Sequence, residues 1–253
     1  MSRILFVLTS ASKYLLGEPA HYDRDGSFLA YPYYVLSPHL AIDFASPAGP
    51  NPPLDPANVE VDEIATYVTI RRLRSYFSKN DDESQRFLND PIPKSLLENT
   101  KALGPFRVER YVAIFYVGGH GPVLDLVTNE TNIQLANEFY RSGKLVSAVC
   151  HGTAALVGVT GTDGKSIFNG KQIGKVKNIP FLLEDSVKSL GTYEKATKPF
   201  WPKVVHSGNL ITGQNPPSSR PIAEEISKTL QDQLLGCNTH KKSEKLDLLI
   251  TYE

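Results

Sequence analysis

Apolar residues along this chain come in short blocks, each ending in small or polar residues. The run RILFVLTS (3–10) is such a block and predicts a buried parallel strand, because strands covered on both faces are continuously apolar rather than alternating. AIDFASPAG (41–49) predicts a second strand that breaks into a loop, and the proline-rich GPNPPLDP (49–56) predicts that loop. YVAIFYVGGHG (111–121) predicts a third strand running into a glycine turn, and KLVSAVC (144–150) a fourth. Between them, TNIQLANEFYRSG (131–143) has helical spacing, with Ile133, Leu135, Ala136 and Phe139 on one face and Gly143 as a stop. VVHSGNLITGQNP (204–216) reads as a short hairpin leading into a loop. SSRPIAEEISKTLQDQLL (218–235) reads as the last helix, with serines to cap it and Pro221 in its first turn.

Strands alternating with helices predict an α/β fold with a mostly parallel sheet covered on both faces. Ligands in such sheets bind beyond the carboxyl ends of the strands. Three predicted strands end there in TSAS, GGHG and CHG, so the chemistry is expected at those three loops. Two stretches fit the pattern less well. Residues 60–87 are partly β-branched, partly basic and then acidic, which suggests an inserted segment; Arg71, Arg72 and Arg74 within it are read as a solvated face. Residues 236–253 read as a polar, mobile or loosely docked tail.

The chain has 253 residues, 41% apolar and 21% charged, an ordinary globular composition long enough for a sizeable core. Lys plus Arg and Asp plus Glu are both 27, so the formal net charge is zero and gives no reason to expect nucleic acid or an anionic membrane as partner. No apolar run approaches the roughly 18 residues of a membrane span, and the N-terminal run is too short for a signal peptide. The two cysteines, Cys150 and Cys237, are too differently placed for a disulfide framework. A cytoplasmic protein is the expectation.

The sequence AVCHG puts a thiol and an imidazole on a sharp strand-to-helix turn. At such a turn backbone N–H groups are unpaired, and a thiolate, the nucleophilic form of cysteine, is favoured. Small neighbours, Ala148 and Gly152, are what a crowded elbow requires. A buried structural cysteine is the competing reading, since free cysteine is often buried. The adjoining His-Gly and the second glycine loop, GGHG, favour the nucleophile. Gly119, with Gly118 beside it, is assigned a backbone N–H for an oxyanion, and the N–H of His151 is the second donor. His151 is placed to shuttle protons. His120 is a candidate for substrate contact, and Asn215 for shaping the pocket wall. His39 and His206 are read as structural or surface residues, and no histidine pair has metal-ligand spacing, so no metal is expected.

AVCHGTAAL, VGGHG and ITGQNP, in this order, resemble the ThiJ/PfpI superfamily, the class I glutamine-amidotransferase-like fold. SPAGPNPPLDP, RFLND and GNLITGQNP resemble its fungal glyoxalase III and heat-shock-chaperone branch. The resemblance implies a flavodoxin-like three-layer sandwich over residues 1–235, with 60–78 as an insertion. It implies no cofactor, and conversion of methylglyoxal, a small dicarbonyl, to D-lactate without glutathione, as a glyoxalase III or D-lactate dehydratase type of lyase. Chaperone activity and homodimers also occur among such proteins. Two alternatives stay open: a non-catalytic stress-response holdase on the same fold, and a cysteine amidase or hydrolase.

The chain departs from the family at two acids. Relatives carry a glutamate in the first helix; the matching run here, DGSFLAYPYYVLSPH, retains Tyr31, Pro32 and Tyr33 but lacks it. Glu18, upstream in LLGEPAH, is the candidate stand-in beside Cys150 and His151. Relatives also carry a glutamate that orients the histidine, in a segment absent from NGKQIGKVKNIPFLLED; Glu184 belongs to the helix that follows and is not assigned the role.

Overall fold

The computed structural model describes residues 1–11, 26–53, 82–104, 106–174, 192–194, 196–198 and 201–250. Its centre is a seven-stranded sheet. In chain order the strands are β1 (Arg3–Val7), β2 (Ala41–Ser46), β3 (Lys101–Ala102), β4 (Tyr111–Tyr116), β5 (Leu145–Val149), β8 (Val204–Ser207) and β9 (Leu210–Gly213). Across the sheet the order is β3-β2-β1-β4-β5-β9-β8, with every neighbouring pair parallel except the β8–β9 hairpin. A separate parallel pair joins β6 (Gln172–Gly174) to β7 (Thr192–Glu194).

Six strands match the reading, β1, β2, β4 and β5 the apolar blocks and β8 with β9 the hairpin, and the reason for the first four is visible in their burial. Every residue of β5 is buried, as are Ile4 to Val7 of β1. The one hydroxyl in β5, Ser147, donates to the Ile114 carbonyl at 2.8 Å, so its burial leaves no orphaned donor. Phe6, Phe44 and Phe115 sit opposite one another in register. Their rings touch, with centroids 5.8 and 5.0 Å from that of Phe6.

The helices are α1 (Gly26–Leu36), α2 (Asp82–Asn89), α3 (Pro91–Glu98), α4 (Pro122–Asp125), α5 (Glu130–Arg141) and α6 (Ser219–Ile250). α1 packs against α2 and α6, while α5 covers β4 and β5 from elsewhere on the sheet. The sequence explains their ends. Asn129 caps α5 by accepting from the Asn132 N–H at 2.9 Å, and Gly143 beyond its end takes the positive φ of +74°. Asp90 caps α3 by accepting from the Ile92 N–H at 3.0 Å, with Pro91 in the first turn. α1 tolerates Pro32 in its interior because Phe28, Leu29, Ala30, Tyr33 and Leu36 all bury into the core.

One expectation is corrected. The last helix does not stop at Leu235; α6 continues to Ile250 through residues read as a tail. GCNTHKKSEKLDLLI contains no proline and only one glycine, so helix propensity carries the chain on. The helix that the turn at Cys150 enters is a seven-residue 3-10 helix, Cys150–Leu156. The proposed insertion at 60–78 lies outside the described residues. Among the described residues no helix is long and apolar enough to cross a membrane.

The chain sequence fixes where a site belongs. From β1 the sheet grows one way through β2 and β3, and then the other way through β4, β5 and β9. Strand order therefore reverses between β1 and β4, and in open parallel sheets the crevice at that reversal is where ligands bind. The loops leaving β1, β4 and β5 all emerge at this edge.

Candidate functional site

Cys150 follows β5 directly. Val149 is still extended (φ −120°, ψ 140°), and Cys150 has φ +53°. A left-handed backbone at a residue with a side chain is strained by about 1–3 kcal/mol, and such residues concentrate at functional sites. The strain has a visible cause. Two residues on, Gly152 lies against the end of β4, where an added Cβ would fall 2.6 Å from the Tyr116 carbonyl oxygen and 2.8 Å from that of Val117. The chain must turn sharply at Cys150 to bring Gly152 there, and no other residue fits at 152.

That contact places the cysteine turn against the glycine loop. Gly118 and Gly119 are buried, and Gly119 has φ +111°. A Cβ on Gly118 would strike the Phe28 ring of α1 at 2.7 Å, so the loop is wedged between α1 and the turn. His120, next in the loop, lays its ring over that of His151, with centroids 4.8 Å apart and planes 33° from parallel. The Sγ of Cys150 is 3.8 Å from Nδ1 of His151, within the reach of a sulfur hydrogen bond. Cys150 is 9% exposed and His151 3%. A thiol, two imidazoles and a glycine-rich backbone are thus gathered beyond β4 and β5.

Five sequence-predicted residues, Cys150, His151, Gly118, Gly119 and His120, are therefore neighbours. Asn215 lies beyond β9 on the same edge, and its amide ties the segment before β8 to the turn that follows β9. It donates to the Trp201 carbonyl at 2.9 Å and accepts from the Ser218 hydroxyl at 2.7 Å. Glu18 and Glu184 lie outside the described residues. Among the described residues no three His, Cys, Asp or Glu side chains come together as metal ligands would.

Sequence reasoning passed over one charged group. Asp125, at the end of α4, accepts from the Thr9 hydroxyl at 2.9 Å and from the Ser10 N–H at 2.6 Å. Burial pushes its pKa up to about 6, against the lowering effect of those same hydrogen bonds. A carboxylate in the otherwise apolar run PVLDLV was the available signal.

Comparison with known proteins places this geometry in context. The model of the DJ-1/PfpI family matches residues 96–229, a stretch that includes both the glycine loop and the cysteine turn. The probable glutathione-independent glyoxalase hsp3103 of Schizosaccharomyces pombe is 29% identical over 155 residues, 53% of this chain and 59% of that protein. The glutathione-independent glyoxalase HSP31 of Saccharomyces cerevisiae is 28% identical over 164 residues, 58% of this chain and 69% of that protein. The match to the first of these relatives thus spans less than two thirds of its length. The X-ray structure of Rapid Encystment Protein 24 KDa of Francisella tularensis superposes with a TM-score of 0.75 at 27% identity, covering 91% of this chain and 99% of that one.

Proposed function

Because the chain belongs to the DJ-1/PfpI family, we propose that it is a glutathione-independent glyoxalase, converting methylglyoxal and water to D-lactate with Cys150 as nucleophile. The observation that carries this reading is the left-handed Cys150 with its sulfur 3.8 Å from an imidazole. The names of the matched yeast relatives give the substrate class.

The residues suit the chemistry. The Cys150 thiolate adds to the aldehyde carbon of methylglyoxal and forms a hemithioacetal. A base removes the hydrogen from that carbon, and the electron pair passes through an enediolate. A proton is returned at the neighbouring carbon, leaving a lactoyl thioester on Cys150. Water hydrolyses the thioester, releasing lactate and restoring the thiol. The tetrahedral adducts and the enediolate each carry a negative oxygen, and the N–H groups of Gly119 and His151 are assigned to receive it. His151 is assigned the proton transfers, since imidazole titrates near neutral pH and lies beside the sulfur. Glu18 is the proposed partner acid. A small substrate suits a sulfur this little exposed, because only a compact carbonyl can reach it.

The test is purified protein with methylglyoxal and no glutathione, with lactate resolved by chirality. Formation of D-lactate supports the reading. Suppression of protein aggregation without any turnover would replace it with the holdase alternative.

A further inference from the structure

We propose that Asp125 is a positioning residue, a buried carboxylate that locks the β1 loop to the glycine loop across the switch-point crevice and thereby sets the geometry of His120, His151 and Cys150. The proposal rests on the glyoxalase reading for its turnover arm only.

Asp125 stands at the crevice between β1 and β4. Its Oδ1 accepts from the Thr9 hydroxyl and its Oδ2 from the Ser10 N–H. Thr9 Oγ1 accepts in turn from the Ala11 N–H at 3.0 Å. The link continues across the next strand: Ser10 Oγ donates to Ser46 Oγ at 2.9 Å and accepts from the Ala48 N–H at 2.8 Å. One carboxylate thus anchors the loops leaving β1 and β2 to the segment that follows β4.

The fit around this lock is tight. A Cβ on Gly121 would fall 2.2 Å from Thr9 Oγ1, so the threonine lies directly on the backbone of the glycine loop. α4, which ends in Asp125, packs on the Cys150–Leu156 turn. Movement of Thr9 is therefore passed to Gly121 and to the neighbouring His120, whose ring lies over His151.

The lock has two states. Ionised, Asp125 accepts from both Thr9 and Ser10. Protonated on Oδ1, it becomes a donor to Thr9 Oγ1, and the threonine proton must find another acceptor. Among the described residues, the β1 loop offers it a hydroxyl and a backbone N–H. The titratable groups on the elements beside it are His120 before α4, and Cys150 and His151 on the turn packed against α4. Burial keeps its proton up to about pH 6, inside the range an enzyme assay can scan.

Two readouts test this: the rate of Cys150 alkylation by iodoacetamide and the rate of D-lactate formation, each from pH 5 to 9. The wild type is expected to show a step near pH 6 in both readouts. Asp125→Asn, whose amide donates to Thr9 as the protonated acid would, is expected to lose that step and stay at the low-pH rate, a loss of roughly tenfold to a hundredfold above pH 6. Thr9→Val removes the same hydrogen bond from the other side at nearly constant volume. It is expected to lower the high-pH rate, and it carries the test if Asp125→Asn does not fold. Wild-type profiles and rates in the variants would overturn the proposal. If no protein turns over methylglyoxal, the glyoxalase reading fails alone and the alkylation profiles decide the role of Asp125.

Discussion

Cys150 and His151 are consecutive in sequence, yet the sulfur of one meets Nδ1 of the other at 3.8 Å. Consecutive side chains on a strand or helix point apart, so the contact depends on the left-handed turn at Cys150. Backbone strain, and not sequence adjacency, makes the pair.

That strain gives a first prediction. Cys150→Gly relieves the positive φ, whereas Cys150→Ala retains it. The glycine variant is expected to be more stable than the alanine variant by about 1 kcal/mol, with both inactive. Urea unfolding monitored by circular dichroism measures the difference. Equal stabilities would mean that the turn costs nothing.

Gly152→Ala tests the approach of the turn to β4. Its Cβ would meet two backbone carbonyls, at 2.6 and 2.8 Å, and neither can move without disturbing the end of β4. A loss of about 1–3 kcal/mol in unfolding free energy is expected, together with lost turnover. A stable, active alanine variant would show that the turn and the glycine loop are not held in register by this contact.

The ring contact of His120 with His151 predicts that His120→Ala lowers kcat by roughly tenfold or more while leaving the fold intact, because the neighbouring imidazole loses the surface that orients it. Steady-state kinetics with the variant checks this. An effect confined to KM would make His120 a binding residue.

Asp125 also predicts a dependence of stability on pH. Its pKa in the folded protein, about 6, lies above the ordinary 3.8. The folded state therefore prefers the protonated form. The stability this contributes is complete below about pH 4 and is lost as pH rises through 6, by about 3 kcal/mol at most. Asp125→Asn cannot ionise and is expected to flatten that fall. Unfolding free energies at pH 4 and pH 7, compared between wild type and variant, measure it.

The central strands β1, β4 and β5 and the cysteine turn were legible in the sequence because continuous apolar blocks and glycine placement are local signals. RILFV, YVAIFY and LVSAV each declare a buried strand, and CHG and GGHG declare their turns. The end of α6 was not legible, since GCNTHKKSEK is polar and helix-compatible at once. α3 was also missed: PIPKSLLE opens with two prolines that suggest a loop, and its helix depends on the Asp90 cap. The lock on Asp125 was hidden for a different reason. It joins residues 115 and 116 positions apart, and only the sheet order brings β1 beside β4.

The central claim is that the sulfur of Cys150 carries the dicarbonyl. Its most direct test is chiral lactate analysis of wild type and Cys150→Ala, side by side, with methylglyoxal and without glutathione. D-lactate from the wild type and none from the variant is the predicted result. Equal lactate from both, or none from a folded wild type, would contradict it.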